Sequence, residues 1–170
     1  LDNEYCQCIR CREIRNRSII VKDIEYEIEE YEAQEGVEYF ISANYFPDYS
    51  HLNKDEQKQM NSLESYLVGF CRLRIQNNKN LNYHPIHGSE ALVRELHVYG
   101  KMIPNYLSKF LTSNTQHKGI GKTLMFIAEK IAVKNNKTKI AVISGVGVRK
   151  YYGDKLGYKL ENNYMVKDLK

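Results

Sequence analysis

Alternating positions carry the first structural signal. Ile24, Tyr26 and Ile28 oppose Glu25, Glu27 and Glu29, the period-two pattern of a half-buried strand. Glu35-Gly36 supplies a turn, and 37–42 reads as a returning strand. The stretch 43–61 is polar, carries Pro47 and a helix-friendly run over 54–59, and is expected to be a surface insertion. A third strand covers 66–75 and ends in the turn cluster Asn77-Asn78-Lys79-Asn80. Residues 91–99 form a fourth, with Leu92, Leu96 and Val98 on one face and Val93, Glu95, His97 and Tyr99 on the other.

Past a loop through Pro104 the period changes. From Gly119 onward Leu124, Ile127, Ala128, Ile131 and Ala132 recur at three-to-four spacing, with Glu129 and Lys130 outside, and Asn135-Asn136 ends the pattern. This predicts the longest helix of the chain. The run 140–143 is wholly apolar, as in a strand buried on both faces. Gly145-Val146-Gly147 turns into a short helix carrying Tyr151 and Tyr152 and closed by Gly157; one or two strands finish the chain over 158–166. The order predicts a mixed α/β domain without internal repeats.

At 170 residues, 42% hydrophobic and 11% aromatic, the chain can bury the core of one domain. A net charge of +4 is well short of a histone-like imbalance. No apolar run approaches ~18 residues, so no membrane-spanning helix is expected. The start at Leu1-Asp2-Asn3-Glu4, without Met, leads us to expect a segment of a longer polypeptide. We divide it into a Cys- and Arg-rich arm, 1–20, and a folded domain, 21–170.

Three of the four cysteines, Cys6, Cys8 and Cys11, fall within six residues, which suits a ligand cluster in a reducing, intracellular setting better than a disulfide framework. Their thiolates could share one zinc at Zn–S distances near ~2.3 Å, with Cys71 or a histidine as fourth ligand; free thiols are the plain alternative. The spacing does not fit the Cys-x3-Cys-x2-Cys triad of a radical-SAM iron–sulfur cluster.

Gln116-His117-Lys118-Gly119-Ile120-Gly121 leads into the long helix. Glycines let backbone approach a ligand closely, and first-turn N–H groups lack partners within a helix. With Lys118 and Lys122 nearby, the loop suits a pyrophosphate, although a glycine-permissive helix start gives the same letters. It is neither a Walker loop nor a dinucleotide fingerprint.

In context, Gln-x-x-Gly-x-Gly at a helix start, followed by Tyr-Tyr and Leu-Gly-Tyr, resembles the GNAT acetyltransferase superfamily. A closer resemblance lies in Arg94-Glu95-Leu96-His97-Val98-Tyr99-Gly100, in the glycine loop, in Lys139-Ile140-Ala141-Val142-Ile143-Ser144-Gly145-Val146-Gly147 and in Tyr164-Met165-Val166-Lys167. Together these are similar to the carboxy-terminal GNAT domain of the Elongator catalytic subunit family, radical-SAM enzymes that modify tRNA uridine. The resemblance runs from the Cys-rich start to Lys170, interrupted at 43–62 and 76–88.

That resemblance implies a mixed, mostly antiparallel sheet flanked by helices. It implies acetyl-CoA as donor for carboxymethylation at carbon 5 of wobble uridine 34, tRNA and other Elongator-like subunits as partners, and a cytoplasmic or nuclear location. A 4Fe-4S cluster and S-adenosylmethionine would belong to an upstream half that this chain lacks. Glu95, Leu96, His97 and Val98 would line the acetyl and pantetheine end, and Gln116, Lys118, Gly119, Ile120, Gly121 and Lys122 the pyrophosphate. Tyr151 or Tyr152 would sit by the sulfur and hydrogen-bond the departing thiolate, the other packing in the core. Glu95 is a candidate general base or else the partner of Arg94 or Arg72; His97 competes with it, or is a hydrogen-bonded core residue. Cysteines at such a domain junction resemble a zinc clip.

Arg10, Arg12, Arg15, Arg17, Arg72 and Arg74 are candidates for tRNA phosphates, while the acidic stretch 23–35 turns any RNA surface to another side. Two other readings remain: a free-standing GNAT enzyme acetylating a protein lysine or small amine, and a zinc-containing RNA-binding scaffold.

Overall fold

The computed structural model describes residues 6–14, 24–46, 65–76, 91–99 and 119–170. In chain order they form a short helix α1 (Ile9–Arg12) and strands β1 (Ile24–Ala33), β2 (Gly36–Tyr45), β3 (Tyr66–Gln76) and β4 (Ala91–Val98). Helix α2 (Ile120–Lys134), strand β5 (Lys139–Val142), a 3-10 turn (Val146–Val148), helix α3 (Arg149–Leu156) and strands β6 (Lys159–Glu161) and β7 (Tyr164–Asp168) follow. One sheet holds all seven strands in the order β1-β2-β3-β4-β5-β7-β6. Every pairing is antiparallel except β4 with β5. This is the mixed sheet expected from the sequence.

The acidic alternation of β1 belongs to a sheet edge. Glu25, Glu27, Glu29, Glu30 and Glu32 are all exposed there, where charge discourages pairing with another chain. Central β3 is apolar because both its neighbours and α2 cover it: Val68, Cys71 and Leu73 are fully buried. Helix α2 lays Leu124, Met125, Ala128, Ile131 and Ala132 into the same core, and α3 adds Tyr152. No helix among the described residues is long and apolar enough to cross a membrane.

The structure corrects several expectations. Ala43 and Asn44 do not start a surface insertion; they continue β2 and are fully buried, while 47–61 of the expected insertion lies outside the described residues. Glu129 is not on a solvated face, because Tyr158 and Lys167 both donate to its carboxylate at 2.9 Å. The apolar run of β5 stops at Val142, and Ile143 is 52% exposed because the chain is already leaving the sheet.

The faces of β4 also differ from a simple alternation. Glu95 pairs with Arg72 and Val93 with Leu73, so Arg94 is an inserted residue, a β-bulge. The insertion reverses the phase. Ala91, Val93, Leu96 and Val98 share the α2 face, while Leu92 packs with Ala141 and Val166 on the other.

Candidate functional site

Strands β4 and β5 pair over three residues, Ala91 with Ile140 to Val93 with Val142. A last backbone bond follows, Ile143 N–H to Val93 C=O at 3.0 Å. Then they part. The bulge at Arg94 redirects β4, and β5 turns through Ser144-Gly145 into the 3-10 turn. Strand β4 continues to Val98 held by β3 alone, so the main-chain edge of Glu95, Leu96, His97 and Val98 facing away from β3 has no strand partner among the described residues. Unpaired N–H and C=O groups in such a notch can accept an extended amide-bearing chain as an added strand.

The start of α2 closes one end of the notch. Gly119 adopts φ +113°, a conformation L side chains rarely take, and its carbonyl accepts Thr123 N–H at 2.8 Å. Among the described residues no side chain caps the helix, so the first-turn N–H groups point out with the positive end of the helix dipole, a setting suited to anions. Ile120 and Gly121 are buried and Lys122 is exposed. Gln116, His117 and Lys118 of the loop lie outside the described residues.

Gly121 is where the pieces meet. A Cβ built on it would lie 2.8 Å from the Tyr151 hydroxyl and 3.6 Å from Val98 Cγ2. The helix start, the end of β4 and α3 therefore converge on one point that only a residue without a side chain leaves open. The two tyrosines differ in burial. Tyr152 is 5% exposed and packs edge-on against Tyr151 and Tyr158, whereas Tyr151 is half-buried with its hydroxyl at Gly121. Burial raises the pKa of both phenols, so Tyr151 stays a proton donor at neutral pH.

Glu95 and His97 point the other way. The Glu95 carboxylate lies 3.9 Å from Arg72 Nη1, both half-exposed. Arg94, the other candidate partner, instead donates to Glu38 at 2.7 Å. His97 is an exposed ring rather than a hydrogen-bonded core residue, stacked on Phe70 at 5.9 Å and beside Tyr99 at 4.4 Å. The site thus has two sides: Leu96, Val98, Gly121 and Tyr151 on the helix side, Glu95 and His97 on the far side. Two polar groups escaped the sequence reading. Glu38 had no signal beyond strand alternation, and Ser144, whose buried hydroxyl lacks a partner among the described residues just past β5, appeared only inside a longer motif.

In the arm, the Sγ atoms of Cys6, Cys8 and Cys11 lie within 4.8 Å of one another and all are exposed. The Cys11 backbone N–H leads the interactions that bring the Cys8 thiol down to about 7, while its hydrogen bond with Cys8 pushes Cys11 up to about 11. Three convergent sulfurs, one readily ionised, fit a thiophilic metal such as zinc. Cys71 does not belong to the set: it is in the core, where burial pushes its thiol up to about 12. The arm is docked all the same. Ile14 is 1% exposed, its N–H bonds Leu67 C=O at 3.0 Å, and Arg12 donates to Asn44 at 2.7 Å.

A mixed sheet whose one parallel pair parts beside an uncapped, glycine-led helix defines a GNAT-type domain. No protein-family model matches the chain. It is 35% identical to human Elongator complex protein 3 over 95% of its length, and 40% identical over 96% to an archaeal protein of Methanocaldococcus jannaschii named tRNA uridine(34) acetyltransferase. A solved structure of Elp3 from Methanocaldococcus infernus superposes with a TM-score of 0.67 at 35% identity, covering 96% of this chain and 35% of that one. The chain is thus similar to the Elongator complex protein 3 family along nearly all of its own length, and it spans 28% of the length of these curated relatives.

Proposed function

We propose that this chain binds acetyl-CoA and presents its acetyl group for carboxymethylation at carbon 5 of wobble uridine 34 in tRNA, within an Elongator-type enzyme. The observation that carries the reading is the parting of β4 from β5 directly beside the uncapped start of α2. The first-turn amides of Ile120, Gly121 and Lys122 take the pyrophosphate. The pantetheine arm pairs with the free edge of β4 over Leu96 to Val98. The acetyl methyl, still on the thioester, faces the far side of the sheet beside Glu95 and His97, where the acceptor approaches. Once the methyl carbon is bonded to the base, water attacks the thioester carbonyl to form the carboxylate, and Tyr151, kept protonated by its surroundings, hydrogen-bonds the sulfur and stabilises the thiolate that leaves.

Removing hydrogen from an acetyl methyl group needs radical chemistry, which we assign to a domain outside this chain. The cysteine spacing here does not suit an iron–sulfur cluster of that type. Cys6, Cys8 and Cys11 hold zinc instead, as a clip that orders the arm against the domain. The uridine-modifying name of an archaeal relative favours an RNA acceptor over a lysine or small amine.

Isothermal calorimetry with acetyl-CoA tests the reading. Binding is expected, and Gly121→Val, which drives two methyl groups toward Tyr151 and Val98, should reduce it at least tenfold. A wild-type chain that gives no heat with acetyl-CoA overturns the assignment.

A further inference from the structure

The face of the sheet opposite α2 carries a feature that coenzyme binding does not use. Phe40 on β2 stacks on Phe70 on β3 with centroids 5.3 Å apart and planes 28° from parallel. Phe70 stacks on His97 of β4 at 5.9 Å and 16°. The row crosses three strands and ends on the strand whose next neighbour, β5, has turned away. Phe70 is 3% exposed and needs no further explanation than packing, but His97 is exposed, and Tyr99 at 4.4 Å props its ring. On the same face Arg72 and Arg94 keep 37% and 44% of their side-chain surface in solvent.

We propose that a pyrimidine base of RNA stacks on the exposed ring of His97, extending the Phe40–Phe70–His97 row, while Arg72 and Arg94, which both lie on the Glu95 side of that row, face the backbone phosphate on that side. The inference rests on the reading above in taking uridine as the base; its physical content is a rigid aromatic platform at the place where the acetyl group emerges. Aromatic rings accept any base face, and a ring already held by a parallel neighbour, Phe70, and a tilted one, Tyr99, loses little freedom on binding. Arginine beside such a platform adds sequence-independent attraction to the backbone.

Fluorescence anisotropy with an anticodon stem-loop RNA tests it, using the chain as it stands and a second RNA abasic at the wobble position. His97→Ala should weaken the uridine RNA by roughly tenfold, the scale of one stacked base, and His97→Phe should restore binding. The abasic RNA should bind wild type as weakly as the uridine RNA binds His97→Ala, with no further loss in that variant. Arg72→Gln should weaken both RNAs alike and flatten the salt dependence. Equal losses on both RNAs for His97→Ala, failure of His97→Phe to rescue, or no RNA binding by wild type overturns the proposal. Calorimetry with acetyl-CoA on the same preparation separates the two readings: heat with acetyl-CoA but no base dependence rejects only the platform, and the reverse rejects only the coenzyme site.

Discussion

Glu38 on β2 accepts hydrogen bonds from Arg94 on β4 at 2.7 Å and from Arg74 on β3 at 3.1 Å, all to the same carboxylate oxygen. The bulged residue of β4 is thereby tied across β3 to a carboxylate that is 2% exposed. Arg74 is held in turn by the Gln76 side chain and the Gln34 carbonyl. Because a guanidinium and a carboxylate taken out of water must satisfy each other, removing the anion is costly while removing the more exposed cation is not. Glu38→Ala should lower unfolding free energy by about 3 kcal/mol in urea titrations. Arg94→Ala, which leaves the Arg74 pair intact, should cost well under half as much.

Gly121 sets stability against binding. Alanine there improves helix propensity by up to about 1 kcal/mol, so the melting temperature of Gly121→Ala should hold or rise. Its methyl group meets the Tyr151 hydroxyl, however, and acetyl-CoA affinity should drop about tenfold as the ring is displaced. Tyr151→Phe in the same background removes the atom in conflict, so the double variant should bind better than the sum of the two single losses. Strict additivity would show that the two residues do not share one space.

The buried phenols predict an alkaline limit. Tyr158 is 3% exposed, and burial, with the Glu129 charge next, raises its pKa; burial does the same for Tyr152. Above the ordinary tyrosine value near 10 the unfolded chain releases these protons while the folded chain keeps them. The unfolded state then binds fewer protons, and stability falls as pH rises. Each such tyrosine contributes a slope that grows through pH 10 and approaches about 1.4 kcal/mol per pH unit roughly one unit higher. Tyr158→Phe should flatten the slope measured between pH 10 and 11 and leave it unchanged near neutrality.

Metal analysis of chain purified without chelator should find one zinc per molecule, lost in a Cys8→Ser, Cys11→Ser double variant. Since Ile14 and Arg12 already bond to β3 and β2, chelation should loosen the arm without unfolding the sheet. A shift of about 2–4 °C in melting temperature, equivalent to 1 kcal/mol for a domain of this size, is expected.

Much of this architecture was legible in the letters. The glutamate alternation of β1, the apolar stripe of α2 and the Gly157 stop of α3 each follow from a local rule, and each is present. The tyrosine pair was read as one packed ring and one by the coenzyme sulfur; Tyr152 is packed and the Tyr151 hydroxyl lies beside Gly121. What the pattern concealed came from register. One inserted residue at Arg94 exchanges the faces of β4, and no composition signal marks it, since Arg94 and Glu95 are both compatible with solvent. Burial of Glu38, Ser42 and Asn44 was equally hidden, because polar side chains in a strand read as an exposed face until their partners on other elements are known.

The three-residue junction of β4 with β5 is, among the described strands, where the β1–β4 and β5–β7 portions of the sheet are joined, and its partners lie far apart in sequence. So short a seam is the natural place for the domain to breathe. A coenzyme wedged into the gap beyond Val93 would bridge both portions and act as a removable rivet, slowing amide exchange in β5 and β7 on the far side of the seam as well as in β4 itself.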